Sequence, residues 1–236
     1  MKGSQTPIQA KLSPIVISKT TMRPKNVRRK EMNKKERIKF GDATLPPGGI
    51  KIAKALRTLL ENKDFNSITT AEIAAASGMN EALIYRYFGS KRELLHCLMN
   101  EFHYQFISDI QQSIKGIKGS LNKLRKIIWE HLYIFERDQV YARILLLELG
   151  SYLGFYESST YGLFKEYTNL IKDIIEEGVN EGEIRRDIPV WSIRQIILGA
   201  IHYMCLPKVI KRKEIVTDEL TEDICNIIFN GIVKKD

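Results

Sequence analysis

The chain has 236 residues, of which 44% are hydrophobic, and its formal net charge is +9. These are the values of an ordinary globular protein that can bury a substantial core. No apolar run is long enough to cross a bilayer and no export signal follows Met1, so we expect no membrane association. Three cysteines, Cys97, Cys205 and Cys225, are widely spaced and odd in number. This argues against a disulfide framework and favours a reducing cytoplasm.

The charge excess is confined to the N-terminal segment. Residues 1–44 carry 12 Lys/Arg and 3 Asp/Glu, which accounts for the whole excess. Clustered basic residues favour a polyanionic partner, because binding to phosphates releases counterions, although a solvated segment that binds nothing has the same composition. Residues 1–47 also contain five prolines and show no persistent apolar face. They are predicted to form a basic, disordered leader, with a short helix near Lys34–Phe40.

From Ile50 onward, apolar residues recur at helical spacing almost without a break. The first set falls at i, i+3, i+4, i+7 and i+8 and predicts a helix over about 49–62: Ile52, Ala55, Leu56, Leu59 and Leu60. Further helices are predicted at about 70–77, 81–87, 91–115, 120–137, 139–153, 159–182, 190–206 and 218–233, with a break at Pro207. No segment alternates apolar and polar residues between turn signals. The sequence therefore predicts an all-α fold of about nine helices without strands.

Residues 69–88 follow local rules for two short helices joined by a turn. Thr69 and Glu72 have the spacing of a capping box, which begins the first helix. Gly78 ends it, because a left-handed backbone costs glycine nothing. Asn80 is a favourable N-cap for the second helix. Such a pair, braced by a helix on either side, is typical of a helix-turn-helix, although a generic helical hairpin inside a larger core shares much of the pattern.

The same segment, extended through residue 95, closely resembles the DNA-binding domain of the TetR family of bacterial regulators. The matching features are Thr69-Thr70, Ile73-Ala74, Gly78, Tyr85-x-Tyr87-Phe88, Ser90-Lys91 and Glu93-Leu94-Leu95. Beyond residue 95 the resemblance is limited to the number of helices and the turn over residues 181–185. Two residues depart from the family pattern. Asp64 stands where glycine is usual, and Leu83 stands where a hydroxyl residue is common.

The resemblance implies a transcriptional regulator that binds double-stranded DNA and places its second short helix in the major groove. It assigns phosphate contacts to four residues that carry hydrogen-bond donors: Thr70, Tyr85, Tyr87 and Lys91. It directs four others toward the base edges: Asn80, Glu81, Ala82 and Arg86. These types suit that task, since asparagine can pair with adenine, glutamate can accept from cytosine, and alanine can contact a thymine methyl group.

Residues 96–236 hold most of the aromatic side chains and few clustered polar groups, a composition that suits either an apolar ligand cavity or a plain core. By the resemblance, this part binds a small apolar or aromatic inducer and needs no cofactor. The candidate pocket residues are Trp129, Tyr133, Tyr152, Tyr156 and His202. The resemblance also implies a homodimer formed by the last two helices through Ile193, Ile197, Ile201, Met204, Leu220, Ile224 and Ile228.

The expected organisation is a leader (1–47), a helix-turn-helix domain (48–95) and a ligand-binding and dimerisation domain (96–236), as in a ligand-responsive repressor on a palindromic operator. An enzyme is disfavoured because no nucleotide-binding, metalloprotease or hydrolase motif occurs, and the four histidines show no metal-ligand spacing. Two alternatives stay open. One is a helical adaptor that keeps the helix-turn-helix as a scaffold only; the other is an architectural nucleic-acid protein that acts through its basic tail.

Overall fold

Nine α-helices dominate the computed structural model, which describes residues 38–40, 43–150 and 152–233. They are α1 (Pro47–Asn62), α2 (Thr70–Ser77), α3 (Ala82–Phe88), α4 (Lys91–Ser113), α5 (Ser120–Arg137), α6 (Gln139–Arg143), α7 (Ser159–Glu181), α8 (Val190–Ile210) and α9 (Thr217–Ile232). The all-α class predicted from the sequence is confirmed. The described residues lie in one unit, Lys35–Asp236, and the domain boundary predicted at residue 95 falls inside α4, so that division stays a prediction.

A short antiparallel hairpin precedes the helices. Strand β1 (Ile38–Phe40) pairs with β2 (Ala43–Leu45), with Ile38 opposite Leu45. The prediction of no strands, and of a helix reaching Phe40, is wrong here, because three-residue strands are too short to show an alternating pattern. Buried Leu45 packs beside Gly49 in the first turn of α1, which attaches the hairpin to the helices. Residues 1–37 of the predicted leader lie outside the described residues.

The segment predicted as one helix over 139–153 has three parts. Helix α6 continues as a π-helix over Ile144–Leu149, and a 3₁₀-helix follows at Leu153–Glu157. A π-helix is a widened turn that occurs often at functional sites. The break predicted at Pro207 is also wrong, because α8 runs one further turn to Ile210 despite the amide hydrogen that proline lacks.

The helices pack in two connected groups. In the N-terminal group α1 contacts α2, α3 and α4, whereas in the C-terminal group α5 contacts α7, α8 and α9. The turn after α7 joins two of these helices. Gly182 ends α7 at a φ of 79°, and the carboxylate of Glu183 accepts hydrogen bonds from the backbone N–H groups of Ser120 (2.7 Å) and Leu121 (3.2 Å). The turn over residues 181–185, which resembles that of the family, therefore caps the first turn of α5.

Candidate DNA-binding surface and ligand cavity

The first helix of the pair begins and ends as its sequence predicts. The Thr69 hydroxyl accepts from the Glu72 backbone N–H at 3.1 Å, and the Glu72 carboxylate accepts from the Thr69 N–H at 2.8 Å, so the capping box is confirmed. Gly78 ends α2 in the left-handed region, at a φ of 65°. Hydrogen bonds from Lys63 and from the cap lower the pKa of Glu72 to about 2. Asp64, the departure from the family pattern, has an ordinary extended backbone with a φ of −77°.

Helix α3 is held by its inner face and exposes its outer face. The Asn80 side chain accepts from the Ala82 N–H at 2.8 Å, which is the capping interaction expected of it. Ile84 is fully buried, and half-buried Leu83 packs against the core, which explains why an apolar residue is suited to that position. The exposed side chains are those of Asn80, Ala82, Tyr85 and Arg86. The structure thus leaves the predicted reading face of α3 accessible.

Two predicted contact residues bind each other. The Thr70 hydroxyl, in the first turn of α2, donates to the carboxylate of Glu81, immediately before α3. The hydroxyl of Tyr85, a residue that is 52% exposed, lies 3.5 Å from the Thr70 hydroxyl. Residues expected to contact bases (Glu81) and phosphates (Thr70, Tyr85) therefore form one cluster that joins the two helices.

The structure gives Lys91 an internal role that the sequence did not predict. Its ammonium group donates to the backbone carbonyls of Phe65 (3.0 Å) and Ile68 (2.6 Å) and lies 4.4 Å from the Phe65 ring centre. Burial lowers the pKa of Lys91. An ammonium has three N–H donors, and two of them fasten the α1–α2 connection to the start of α4, whereas the phosphate contact of Lys91 stays a prediction. Tyr87 is half-buried beside Gly48, where α1 begins.

We expect the Lys91→Met substitution to lower the free energy of unfolding by about 1–2 kcal/mol, because two carbonyls lose a charged donor in a partly solvated place. Chemical denaturation at neutral pH measures this. Lys54→Met, which removes an exposed lysine from α1, is the matched control and should change stability little. Equal stability of the two variants would show that the hydrogen bonds of Lys91 contribute nothing to stability.

A cavity of about 320 Å³ lies among the π-helix, the 3₁₀-helix, α7 and α8. Its wall is apolar and aromatic: Leu145, Leu146, Leu149, Gly150, Phe155, Tyr156, Tyr161, Phe164, His202, Tyr203 and Leu206. Two predicted pocket residues, Tyr156 and His202, line this cavity. Leu145, Leu149 and Phe155 are buried, whereas Tyr156 and Tyr203 are 52% and 79% exposed, so the cavity opens to the surface beside these two tyrosines.

The other three predicted pocket residues lie elsewhere. Trp129 lines a separate surface groove between α5 and α9, where its indole N–H donates to Asp218 at 2.7 Å. Tyr133 stacks on the Trp129 ring at a centroid distance of 4.8 Å, outside the cavity. Tyr152 packs against Arg92 and His96. Trp129, Tyr133 and Tyr152 therefore lie outside this cavity, since aromatic character alone does not tell which side a helix buries, and their role in ligand binding stays a prediction.

Buried histidines lie behind the cavity. His131 Nδ1 lies 2.8 Å from the Tyr167 hydroxyl, and its ring centre is 5.5 Å from that of His202. His103 Nδ1 lies 3.0 Å from the Met99 carbonyl oxygen. Burial lowers the pKa of His103 and of His202 to about 4. No group of three or more His, Cys, Asp or Glu residues in the described part of the chain is arranged to hold a metal ion.

We expect the stability of the protein to fall between pH 7 and pH 5. Below about pH 6.5, the ordinary pKa of histidine, the histidines of the unfolded chain bind protons, whereas the buried imidazoles of the folded chain do not. The unfolded state therefore gains stability as the pH decreases. A histidine with a folded pKa of about 4, such as His103, accounts for a loss of roughly 2 kcal/mol over this interval. Denaturation at both pH values measures the loss, and His103→Gln should reduce it. An unchanged pH dependence in that variant would contradict the assignment.

Side-chain contacts connect the reading head, which consists of α1, α2 and α3, to the segment that lines the cavity. Arg57 of α1 donates to Asp138, which precedes α6, at 2.8 Å. Asn66 donates to Glu148 of the π-helix at 3.3 Å. The Arg92 guanidinium lies between the rings of Phe65 (4.6 Å) and Tyr152 (4.8 Å). These contacts connect the segments on both sides of the π-helix to α1 and to the turns that follow it.

The predicted dimer residues face inward. Six of the seven are at most 7% exposed and belong to the core of their own chain: Ile193, Ile197, Ile201, Leu220, Ile224 and Ile228. Side chains packed in their own protomer add little to an interface, and the dimer contacts predicted for these six residues and for half-buried Met204 stay predictions. The exposed apolar residues of α8 and α9 are instead Trp191, Ile196, Tyr203, Ile210 and Ile227. By length and composition alone, α8 is long and apolar enough to cross a membrane, which corrects the expectation that no segment of the chain could do so.

Helices α1, α2 and α3 form a head in which α3 is accessible, and a helical body with a cavity carries this head. Such an arrangement defines a helix-turn-helix DNA-binding regulator. The family model of bacterial regulatory proteins of the tetR family matches residues 52–98. The model of the C-terminal region of YsiA-like proteins matches residues 99–231, more than half of the chain. The protein belongs to the TetR family of bacterial transcriptional regulators, which confirms the resemblance.

Three known proteins illustrate the relationship. The fatty acid metabolism regulator protein of Bacillus subtilis (strain 168) is 25% identical over 189 residues, covering 80% of this chain and 97% of that protein. The crystal structure of the regulator FadR from Bacillus subtilis in complex with stearoyl-CoA has a TM-score of 0.70 and 26% identity, covering 78% of this chain and 98% of that chain. The structure of AibR in complex with isovaleryl coenzyme A and operator DNA, at 18% identity, shares the fold with a TM-score of 0.63 and covers 77% and 98% of the two chains.

Proposed function

We propose that the protein is a cytoplasmic repressor that releases a palindromic operator when an acyl-coenzyme A occupies the cavity beside the π-helix. The apolar cavity, connected to α1 by side-chain contacts, is the observation on which this proposal rests. A fatty acid metabolism regulator and a FadR bound to stearoyl-CoA are among its relatives, which supports an acyl chain as the ligand. An acyl chain also suits a wall that consists almost entirely of leucine and aromatic side chains.

The exposed face of α3 is the part proposed to read the operator. Ala82 and Arg86 would reach base edges, with Asn80 at the beginning of the helix, while the hydroxyls of Tyr85 and Tyr87 contact phosphates. Tyr87 lies beside the beginning of α1, where the helix dipole favours an anion. Glu81 accepts from Thr70 through one carboxylate oxygen, and its other oxygen can accept from cytosine. The contact from Glu81 to a base is thus proposed to form with the hydrogen bond to Thr70 kept.

The cavity has the size and the lining for an acyl chain. About 320 Å³ lies within a mostly apolar and aromatic wall that opens to the surface beside Tyr156 and Tyr203. We therefore propose that the acyl chain lies in the cavity, with the coenzyme A portion outside, beyond these exposed tyrosines.

A homodimer is the proposed functional unit, because two identical heads match the two halves of a palindrome. Ligand in the cavity would press on the π-helix, which contacts the head through Asn66 and Glu148. A change in the separation of the two heads would then weaken operator binding, provided the ligand binds the DNA-free arrangement more tightly. The exposed apolar residues of α8 and α9 supply the proposed dimer face.

Selection of bound sequences from a random DNA pool tests the proposal, followed by titration of the selected operator with acyl-CoAs of 4 to 18 carbons. The expected result is one palindromic sequence, which is released by acyl-CoAs. Binding without sequence preference would favour the architectural alternative, and no binding would favour the adaptor. Release by ligands of other classes, with no response to any acyl-CoA, would overturn the ligand assignment and leave the DNA-binding function standing.

A further inference from the structure

A half-buried arginine near the beginning of α4 has no acidic partner. The guanidinium of Arg92 lies between the rings of Phe65 and Tyr152, and its Nη1 atom is buried without a hydrogen-bond partner. The arginines that form ion pairs in the described part of the chain are others: Arg57, Arg125 and Arg185. A buried donor without an acceptor is unfavourable, and more so when it carries a charge. The position of Arg92 therefore suits an anion that its own chain does not supply.

A second unpartnered group, His96, follows one turn later on the same face of α4. It is 2% exposed, and neither of its ring nitrogens has a hydrogen-bond partner among the described residues. Burial lowers the pKa of His96, so its ring is neutral at pH 7 and has one N–H to donate. Its ring centre lies 6.0 Å from that of Tyr152, the same ring that lies against Arg92. Two neighbouring donors on α4 thus lack acceptors, and one tyrosine covers both.

The beginning of α7 lies beside these two donors. The Thr160 hydroxyl donates to the His96 carbonyl oxygen at 3.4 Å, and the Asn100 amide donates to the Ser159 hydroxyl at 3.1 Å. The N-terminus of this 23-residue helix carries N–H groups without intrahelical partners and a positive partial charge. Tyr161, the next residue, lines the cavity. The cavity and the two donors of α4 therefore lie on different sides of the same helical turn.

Tyr152 is held in place as a cover over Arg92 and His96. A Cβ atom on Gly154 would lie 2.6 Å from atoms of the Tyr152 side chain, so glycine allows this side chain to fold back. The ring is still 40% exposed, which means that it can turn outward without opening the core. Tyr152 directly precedes the 3₁₀-helix, whose residues Phe155 and Tyr156 line the cavity. One short segment thus covers the donors and contributes to the cavity wall.

We propose that Arg92, His96 and the first turn of α7 form a phosphate site beneath Tyr152, which binds a phosphate of the coenzyme A whose acyl chain occupies the cavity. This inference rests on the acyl-CoA ligand of the proposed function. Guanidinium groups and helix N-termini are the groups with which proteins commonly bind phosphate. The two ends of one ligand are then held about 10–12 Å apart, the width of a helix. Because Arg92 also contacts Phe65, the phosphate binds against the connection between α1 and α2.

Calorimetry with two esters of the same acyl chain tests the site: octanoyl-CoA, and octanoyl-pantetheine, which has no phosphate. The wild-type protein should bind octanoyl-CoA about 10- to 150-fold more tightly, the range expected for a charged hydrogen bond. Arg92→Gln should remove most of this preference and leave the affinity for octanoyl-pantetheine unchanged. Arg137→Gln is the matched control, since Arg137 also lies over a tyrosine ring but belongs to the end of α5, and it should keep the preference. Equal binding of both esters by the wild-type protein, or an unchanged preference in Arg92→Gln, would overturn the inference.

The His96→Leu variant separates phosphate binding from stability. Leucine replaces two unpaired buried nitrogens with carbon, so the folded protein should be at least as stable as the wild type. The preference for octanoyl-CoA should nevertheless fall, and a full preference would exclude His96 from the site.

The site can also be tested without an acyl chain. If neither octanoyl ester binds, the ligand of the proposed function is wrong, and inorganic phosphate alone then becomes the probe. An increase in Tm relative to chloride at the same ionic strength, lost in Arg92→Gln, would support the phosphate site and change only the source of its phosphate. No increase in the wild-type protein would overturn the inference.

Discussion

Replacing Ala82 with glutamate is expected to abolish operator binding while leaving the folded protein as stable as before. Ala82 is exposed in the first turn of α3, and its side chain has no hydrogen bond or ion pair to lose. A carboxylate near a helix N-terminus stabilises that helix by about 0.3–1 kcal/mol. The same carboxylate in the major groove meets the negative potential of the duplex, a juxtaposition of like charges that costs several kcal/mol. We therefore expect the affinity to fall by at least about 100-fold.

Fluorescence anisotropy with a labelled operator measures this loss, and thermal unfolding measures stability. Gln111→Glu adds the same charge to an exposed position on α4 and controls for the overall change in charge. Only a substitution on the reading face should separate binding from stability in this way. If Ala82→Glu bound the operator normally, α3 would not be the element in the groove.

The reading head could be predicted because its signals are local. The capping box of Thr69 and Glu72 and the left-handed turn at Gly78 depend on residues a few positions apart, and the structure contains both. The internal role of Lys91 could not be predicted in the same way. Its two carbonyl partners, Phe65 and Ile68, lie more than 20 residues away and are presented by a turn whose path depends on packing.

Which side of α8 faces its own core could not be predicted, for a different reason. Helix α8 is apolar on both sides, so periodicity identifies a helix but does not tell which side faces its own core. The structure places Ile193 and Ile197 inside and Ile196 and Tyr203 outside. The pocket aromatics present the same ambiguity, since Tyr133 and Tyr156 are equivalent in chemistry and only the tertiary fold brings one of them to the cavity.

Filling the cavity is expected to produce a repressor that no longer responds to its ligand. Leu146 is a half-buried residue of the π-helix that lines the cavity, and tryptophan at this position would occupy the space of the acyl chain. In the wild-type protein, ligand at about 100 times its Kd stabilises the folded state by about 2.7 kcal/mol. For a chain of this size that corresponds to an increase in Tm of about 5–11 °C. Leu146→Trp should abolish the increase and still bind the operator.

The comparison depends on the ligand-induced shift and not on Tm itself, because an overpacked core costs about 1–3 kcal/mol without any ligand. Tyr133→Trp enlarges an aromatic side chain outside the cavity and should keep the full shift. If Leu146→Trp unfolds, Leu146→Phe makes the same test with less added volume. A full shift in a folded, cavity-filled variant would place the ligand elsewhere. The π-helix would then have no role in operator release, because no acyl chain would lie against Leu146.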